Sequence, residues 1–105
     1  MPEYNKLVRD KIPEIIEADG MTVVTRVIED DAEFLSESIL KVGEETAELA
    51  VATTPEEQRE EAADLLEIAM AIAKHLGFDE VEAIRLKKLE ERGGFDDKIF
   101  LERTE

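Results

Sequence analysis

Two short acidic stretches carry the chemistry this sequence has to offer: GEETAELA at 43–50 and EEAADLLE at 60–67. Each repeats one device. Glu45 is followed three residues later by Glu48, and Glu61 three residues later by Asp64. Residues three apart on a helix are surface neighbours. On a wheel of about 100° per residue with Val42 at zero, Glu45 falls near about 300°, beside Leu49 at about 340° and Phe34 at about 280°. With Leu65 at zero, Glu61 falls near about 320°, between Ile68 and Ile72, and Asp64 near about 260°. A carboxylate set into a packing stripe is costly to bury unless something neutralises it. If the two stripes pack together, Glu45, Glu48, Glu61 and Asp64 converge. Four carboxylates at close range repel, and oxygen-only donors select hard cations, so the expected occupant is Mg²⁺, with Mn²⁺ as a possible substitute.

The competing explanation is a solvated acidic face. With 28 acidic residues in the chain, such spacings arise readily by chance. That explanation suits Glu44, Glu60 and Glu67. Glu45 and Glu61 differ because they interrupt apolar arcs.

Cations in so acidic a chain stand out. Lys41 lies one turn before Glu45, and either reaches the site or pairs with it. Lys88 and Arg92 end a helix, where they either contact phosphate or complement the helix dipole. Lys6, Arg9 and Lys11 crowd the N-terminal arm, and Arg9 and Lys11 are favoured as ligand-facing or intersubunit contacts. Phe95 reads as core. There is no Ser/His/Asp nucleophile set and no glycine loop for phosphate.

The elements that must position these groups are mostly helices. Asp10 and Pro13 open a short N-terminal helix that Gly20 ends. The β-branched run MTVVTRVIE, 21–29, predicts a strand. Asp30 or Asp31 caps a helix to about Thr53, with Leu35, Ile39, Val42, Thr46 and Leu49 as its buried stripe. Thr54-Pro55-Glu56-Glu57 restarts a helix to Leu76, and Asp79 opens another to about Arg92. DKIFLERTE alternates, and about 97–103 is expected to pair with 21–29 as a small two-stranded β element. The fold expected is mainly α: an antiparallel helical bundle with a short N-terminal helix and that β element, in a single domain over 1–105. Short connections imply antiparallel neighbours. Three helices bury their apolar faces poorly alone, so a homo-oligomer, dimer or tetramer, is expected.

Bulk properties narrow the function classes. The net charge of −15 repels nucleic acid polymers. It would also repel a free nucleotide unless a divalent cation intervened. The absence of cysteine removes thiolate metal sites and disulfides and fits the cytoplasm. No apolar segment of signal-peptide type or membrane-spanning length is present, so no membrane partner is expected.

Taken in order, Glu44-Glu45-x-x-Glu48, twelve residues, then Glu61-x-x-Asp64, resembles the signature of the all-α nucleoside triphosphate pyrophosphohydrolases. That MazG-like superfamily includes MazG, dimeric dUTPases and phosphoribosyl-ATP pyrophosphohydrolase. The opening YNKLVRDKIPEII and the closing KKLEERGGF are similar to its compact branch, the phosphoribosyl-ATP pyrophosphohydrolase-like proteins. The resemblance spans nearly the whole chain, which has one such unit where MazG resembles two in tandem. It implies hydrolysis of a nucleoside triphosphate between the α- and β-phosphates, giving monophosphate and pyrophosphate. By that resemblance Glu45, Glu48, Glu61 and Asp64 hold Mg²⁺, and Glu44 and Glu45 are catalytic. Glu44 matches the first motif position and takes a supporting role, orienting water or a lysine. Arg9, Lys11, Lys41, Lys88 and Arg92 are then the candidates for binding substrate phosphates. House-cleaning of noncanonical nucleotides is the broad expectation. The alternatives are hydrolysis of phosphoribosyl-ATP itself, or a non-catalytic module that binds metal, nucleotide or a basic partner.

Overall fold

The computed structural model describes residues 2–105, and the described residues form four helices and no strand: α1 (Ile12–Ala18), α2 (Asp31–Val51), α3 (Pro55–Leu76) and α4 (Phe78–Arg92). The chain divides into two compact units, Met1–Ile72 and Ala73–Glu105. The first holds the N-terminal arm, α1, α2 and α3 as far as Ile72. The second holds the last turn of α3, α4 and the C-terminal segment.

Local chemistry explains the helix starts. Asp30 is the N-cap of α2, and its carboxylate accepts from the Glu33 amide at 2.8 Å. Thr54 caps α3: its hydroxyl accepts from the Glu57 amide at 3.1 Å, and the Glu57 carboxylate accepts from the Thr53 amide at 3.2 Å. This reciprocal pair resembles a capping box displaced by one residue, and it fixes where the chain reverses between α2 and α3. α1 departs from expectation. Lys11, not Asp10, stands at its N-cap, without a side-chain cap bond. Pro13 occupies its first turn and Gly20, at φ 90°, follows its end. Gly77, at φ 101°, both follows α3 and caps α4, a conformation that glycine takes without strain.

The expected two-stranded β element is absent among the described residues. Residues 21–29 and 97–103 carry no strand. β-Branched side chains favour extended backbone, but a strand also needs a ladder partner. Here local bonds hold both segments instead. Arg26 grips Glu33 through two hydrogen bonds, at 2.9 and 2.6 Å, tying 21–29 to the first turn of α2. The Lys98 amide donates to the Phe95 carbonyl at 3.1 Å, which turns the C-terminal segment. Val24 and Phe95 are 98% and 97% exposed, so the expectation that Phe95 lies in the core is also overturned.

The buried faces of α2 and α3 differ from the expected stripes in a consistent way. On α2, Ser38 and Glu45 are buried and Leu35, Val42 and Leu49 half-buried, while Ile39 and Thr46 are exposed. The centre of burial is thus rotated by about 60° from the apolar stripe, towards Glu45. On α3, Ile68 is the one buried apolar residue, with Glu61, Asp64, Leu65 and Ile72 half-buried around it. Glu45 on α2 and Glu61 and Asp64 on α3 turn inward, while Glu48 stays exposed.

A candidate metal centre

Within the first unit, α2 supplies Glu45 and Glu48, and α3 supplies Glu61 and Asp64. The three-residue connection 52–54 turns α3 back alongside α2, which brings the two ExxE-type pairs face to face. One carboxylate oxygen from each of the four lies within 4.8 Å of the others. Glu45 is buried, at 4% exposure, Glu61 and Asp64 are half-buried, and Glu48 faces solvent. The sequence-predicted ligand set is therefore assembled in one place.

The cluster is short of hydrogen-bond donors. Glu45 Oε2 and Glu61 Oε2 are buried and receive no hydrogen bond. A buried carboxylate oxygen without a donor costs free energy, and native structures rarely leave one so. The hydrogen-bonding proximity of Glu48, then loss of hydration, then Glu45, pushes the Glu61 carboxyl up to about 7. A proton on Glu61 thus relieves the like-charge contact near neutral pH. A divalent cation would relieve it more fully, because it neutralises several carboxylates at once.

The donor set fits a hard cation. All four ligands are oxygen, and none is sulfur or nitrogen. The four oxygens, within 4.8 Å of one another, would have to draw closer together to hold Mg²⁺ at its usual distance of about 2.1 Å. Rotation of exposed or half-buried carboxylates supplies that motion.

Three cations border the cluster. Lys41 Nζ lies 3.4 Å from Glu44 and 3.4 Å from Glu45. Lys6 Nζ donates to Glu44 Oε1 at 2.8 Å, and Arg9 Nη2 donates to Asp64 Oδ1 at 2.6 Å. The hydrogen bond from Lys6 holds the Glu44 carboxyl below its ordinary range, and Glu44 in turn raises Lys6. Glu44 is therefore engaged with two lysines rather than with the four-carboxylate group. Lys6 is the partner that sequence reasoning left aside. Its spacing of three from Arg9 was the available signal, since one arm then presents two cations. Lys11 stands exposed at the start of α1 and makes no ion pair with the described residues. Lys88 and Arg92 are exposed on α4, in the second unit.

No helix among the described residues is long and apolar enough to cross a membrane. No family model and no solved structure matches the chain. An uncharacterized protein of Mycolicibacterium smegmatis is 49% identical over 49 residues, which cover 47% of this chain and 49% of that relative. The chain thus matches about half the length of that protein.

Proposed function

We propose that the chain is a Mg²⁺-dependent nucleoside triphosphate pyrophosphohydrolase, cleaving between the α- and β-phosphates to release a monophosphate and pyrophosphate. The observation that carries this reading is the orphaned oxygen of buried Glu45 inside a four-carboxylate cluster bordered by lysine and arginine. Carboxylates alone suit a cation; carboxylates ringed by cations suit a cation and a polyanion together. The resemblance of Glu44-Glu45-x-x-Glu48 and Glu61-x-x-Asp64 to the MazG-like signature supports the choice of reaction.

In this reading Glu45, Glu48, Glu61 and Asp64 hold Mg²⁺, with Mn²⁺ as a substitute. The ion would supply charge neutralisation for the phosphates and Lewis acidity at the phosphoryl group. Glu45 is the most buried ligand and anchors the site. Glu48, facing solvent, lies on the side from which a triphosphate can approach. Glu44 positions Lys41 and Lys6 through its ion pairs, and Lys41 is placed to meet phosphate oxygens. The net charge of −15 then poses no barrier to an anionic substrate, because the metal stands between carboxylates and phosphates.

Self-association completes the proposal. Ile39, Leu40, Val51 and Leu66 are large apolar side chains that are more than half exposed on α2 and α3. Faces of that kind are usually covered by a partner, and a helical bundle of two or more copies is the arrangement that suits them.

The test is pyrophosphate release from a panel of canonical and modified nucleoside triphosphates, with phosphoribosyl-ATP included, in Mg²⁺, Mn²⁺ or EDTA. Metal-dependent pyrophosphate with an equal yield of monophosphate supports the reading. Mg²⁺-dependent binding without release would favour a nucleotide sensor, and neither binding nor release would favour an acidic interaction module.

A further inference from the structure

The N-terminal arm places two cations across the carboxylate cluster, one on each helix. Lys6 meets Glu44 on α2, and Arg9 meets Asp64 on α3. The arm that carries them is not part of a helix before Ile12. Asn5 bends it through a left-handed conformation at φ 45°, which asparagine tolerates better than most residues. Both cations remain accessible, with side chains 40% and 54% exposed. Lys6, Lys41 and Glu44 also line a small cleft between the arm and α2.

These contacts set Arg9 and an incoming cation against each other at one carboxylate. Asp64 is one of the four carboxylates that would hold a divalent cation, yet it already holds a guanidinium. A cation arriving at the cluster stands within a few ångströms of Arg9, and the two repel. A triphosphate bound to that cation brings several negative charges to the same place, and attracts Arg9 again. Arginine presents a planar fork that suits phosphate as well as carboxylate.

Resting on the metal-site reading above, we propose that Arg9, with Lys6, is a counter-ion that the arm lends to the empty carboxylate cluster and then transfers to the phosphates of the bound substrate. Arg9 therefore opposes metal binding in the free protein and favours polyphosphate binding in the metal-loaded protein. The arm makes the two binding events cooperative. Metal frees the guanidinium, and the polyanion captures it.

The experiment uses Mn²⁺ and inorganic tripolyphosphate as probes, with the full chain and three variants. Mn²⁺ binding is read by electron paramagnetic resonance without any polyphosphate. Tripolyphosphate binding is read by calorimetry at saturating Mn²⁺. Arg9→Ala is expected to bind Mn²⁺ roughly five- to tenfold more tightly, from loss of one unit charge near a divalent ion. It is expected to bind Mn²⁺-tripolyphosphate at least roughly tenfold more weakly, from loss of a charge-assisted contact. Arg9→Lys keeps the charge, so its Mn²⁺ affinity stays near that of the parent. Lys6→Ala moves both affinities in the same directions as Arg9→Ala, with the smaller effect on metal. If Arg9→Ala binds Mn²⁺ equally or more weakly, Arg9 orients Asp64 instead of competing for it, and the proposal is overturned. Unchanged tripolyphosphate affinity also overturns it. A parent protein that takes up no Mn²⁺ removes the metal-site reading itself, and is distinguished by appearing before any variant is compared.

Discussion

Glu61 is the residue whose protonation reports most directly on the cluster. Its carboxyl is pushed from an ordinary 4.5 up to about 7, first by Glu48. The folded protein therefore holds this proton more tightly than the unfolded chain does. The stability linked to it is fully present below about 4.5 and is lost as pH rises through about 7. The metal-free protein is expected to melt at progressively lower temperature between about pH 5 and about pH 7.5, read by circular dichroism in EDTA. Glu61→Gln should flatten that decline. Metal binding must displace the same proton, so apparent affinity should rise by up to about tenfold per pH unit below about 7 and then level off. An affinity independent of pH in that range would mean Glu61 is not a ligand. Glu45 and Glu61 were legible in the sequence because each interrupts an apolar arc, and wheel position alone exposes that. Arg9 on Asp64 and Lys6 on Glu44 were not legible as contacts. They join residues 55 and 38 positions apart, and no local period encodes such pairs.

At the scale of the element, the site depends on α2 and α3 keeping their register. The Thr54 cap and the Glu57 return bond set that register at the reversal. Thr54→Ala should cost about 1 kcal/mol in urea unfolding, as loss of an N-cap does. Gly43, in the middle of α2, is a second measurable feature. A methyl group there would have nothing within 4 Å, so Gly43→Ala is expected to stabilise the free chain by about 0.5–1 kcal/mol. A destabilisation instead would show that a partner surface approaches α2 closely at that point. The helices were readable from caps and periodicity: Asp30, the Thr54-Pro55 restart, and the glycines after α1 and α3. The β element was misread because a β-branched run states a backbone preference and not a partner. Arg26 on Glu33 and the turn at Phe95–Lys98 hold those segments without a ladder. Apolar content does not mark the burial centre of α2. The carboxylate face is buried in its place, with Glu45 and Ser38 inside and Ile39 outside.

For the whole molecule, charge and apolar exposure pull in opposite directions. A net charge of −15 repels a second copy, whereas Leu66 and Ile39 on exposed helix faces favour one. Salt screens the repulsion within a Debye length of about 8–10 Å and leaves the apolar term in place. Self-association is therefore expected to strengthen with ionic strength, by light scattering across a salt series. Leu66→Glu should shift the mass towards the monomer while changing the monomer's own stability by about 0.5 kcal/mol or less, as exposed substitutions usually do. A parent protein that is monomeric at every salt concentration would remove the self-association part of the proposal.

Glu45, Glu48, Glu61 and Asp64 are proposed to hold a divalent cation that makes a nucleoside triphosphate hydrolysable. The measurement that tests this most directly is pyrophosphate release by the parent chain, Glu48→Gln and Asp64→Asn, over the nucleotide panel with Mg²⁺ and with EDTA. The expected result is release by the parent in Mg²⁺, none in EDTA, and a loss of about ten- to a hundredfold in both variants with helicity unchanged, since disturbing a metal ligand or its support commonly costs that much. Release that persists undiminished in both variants would contradict the assignment.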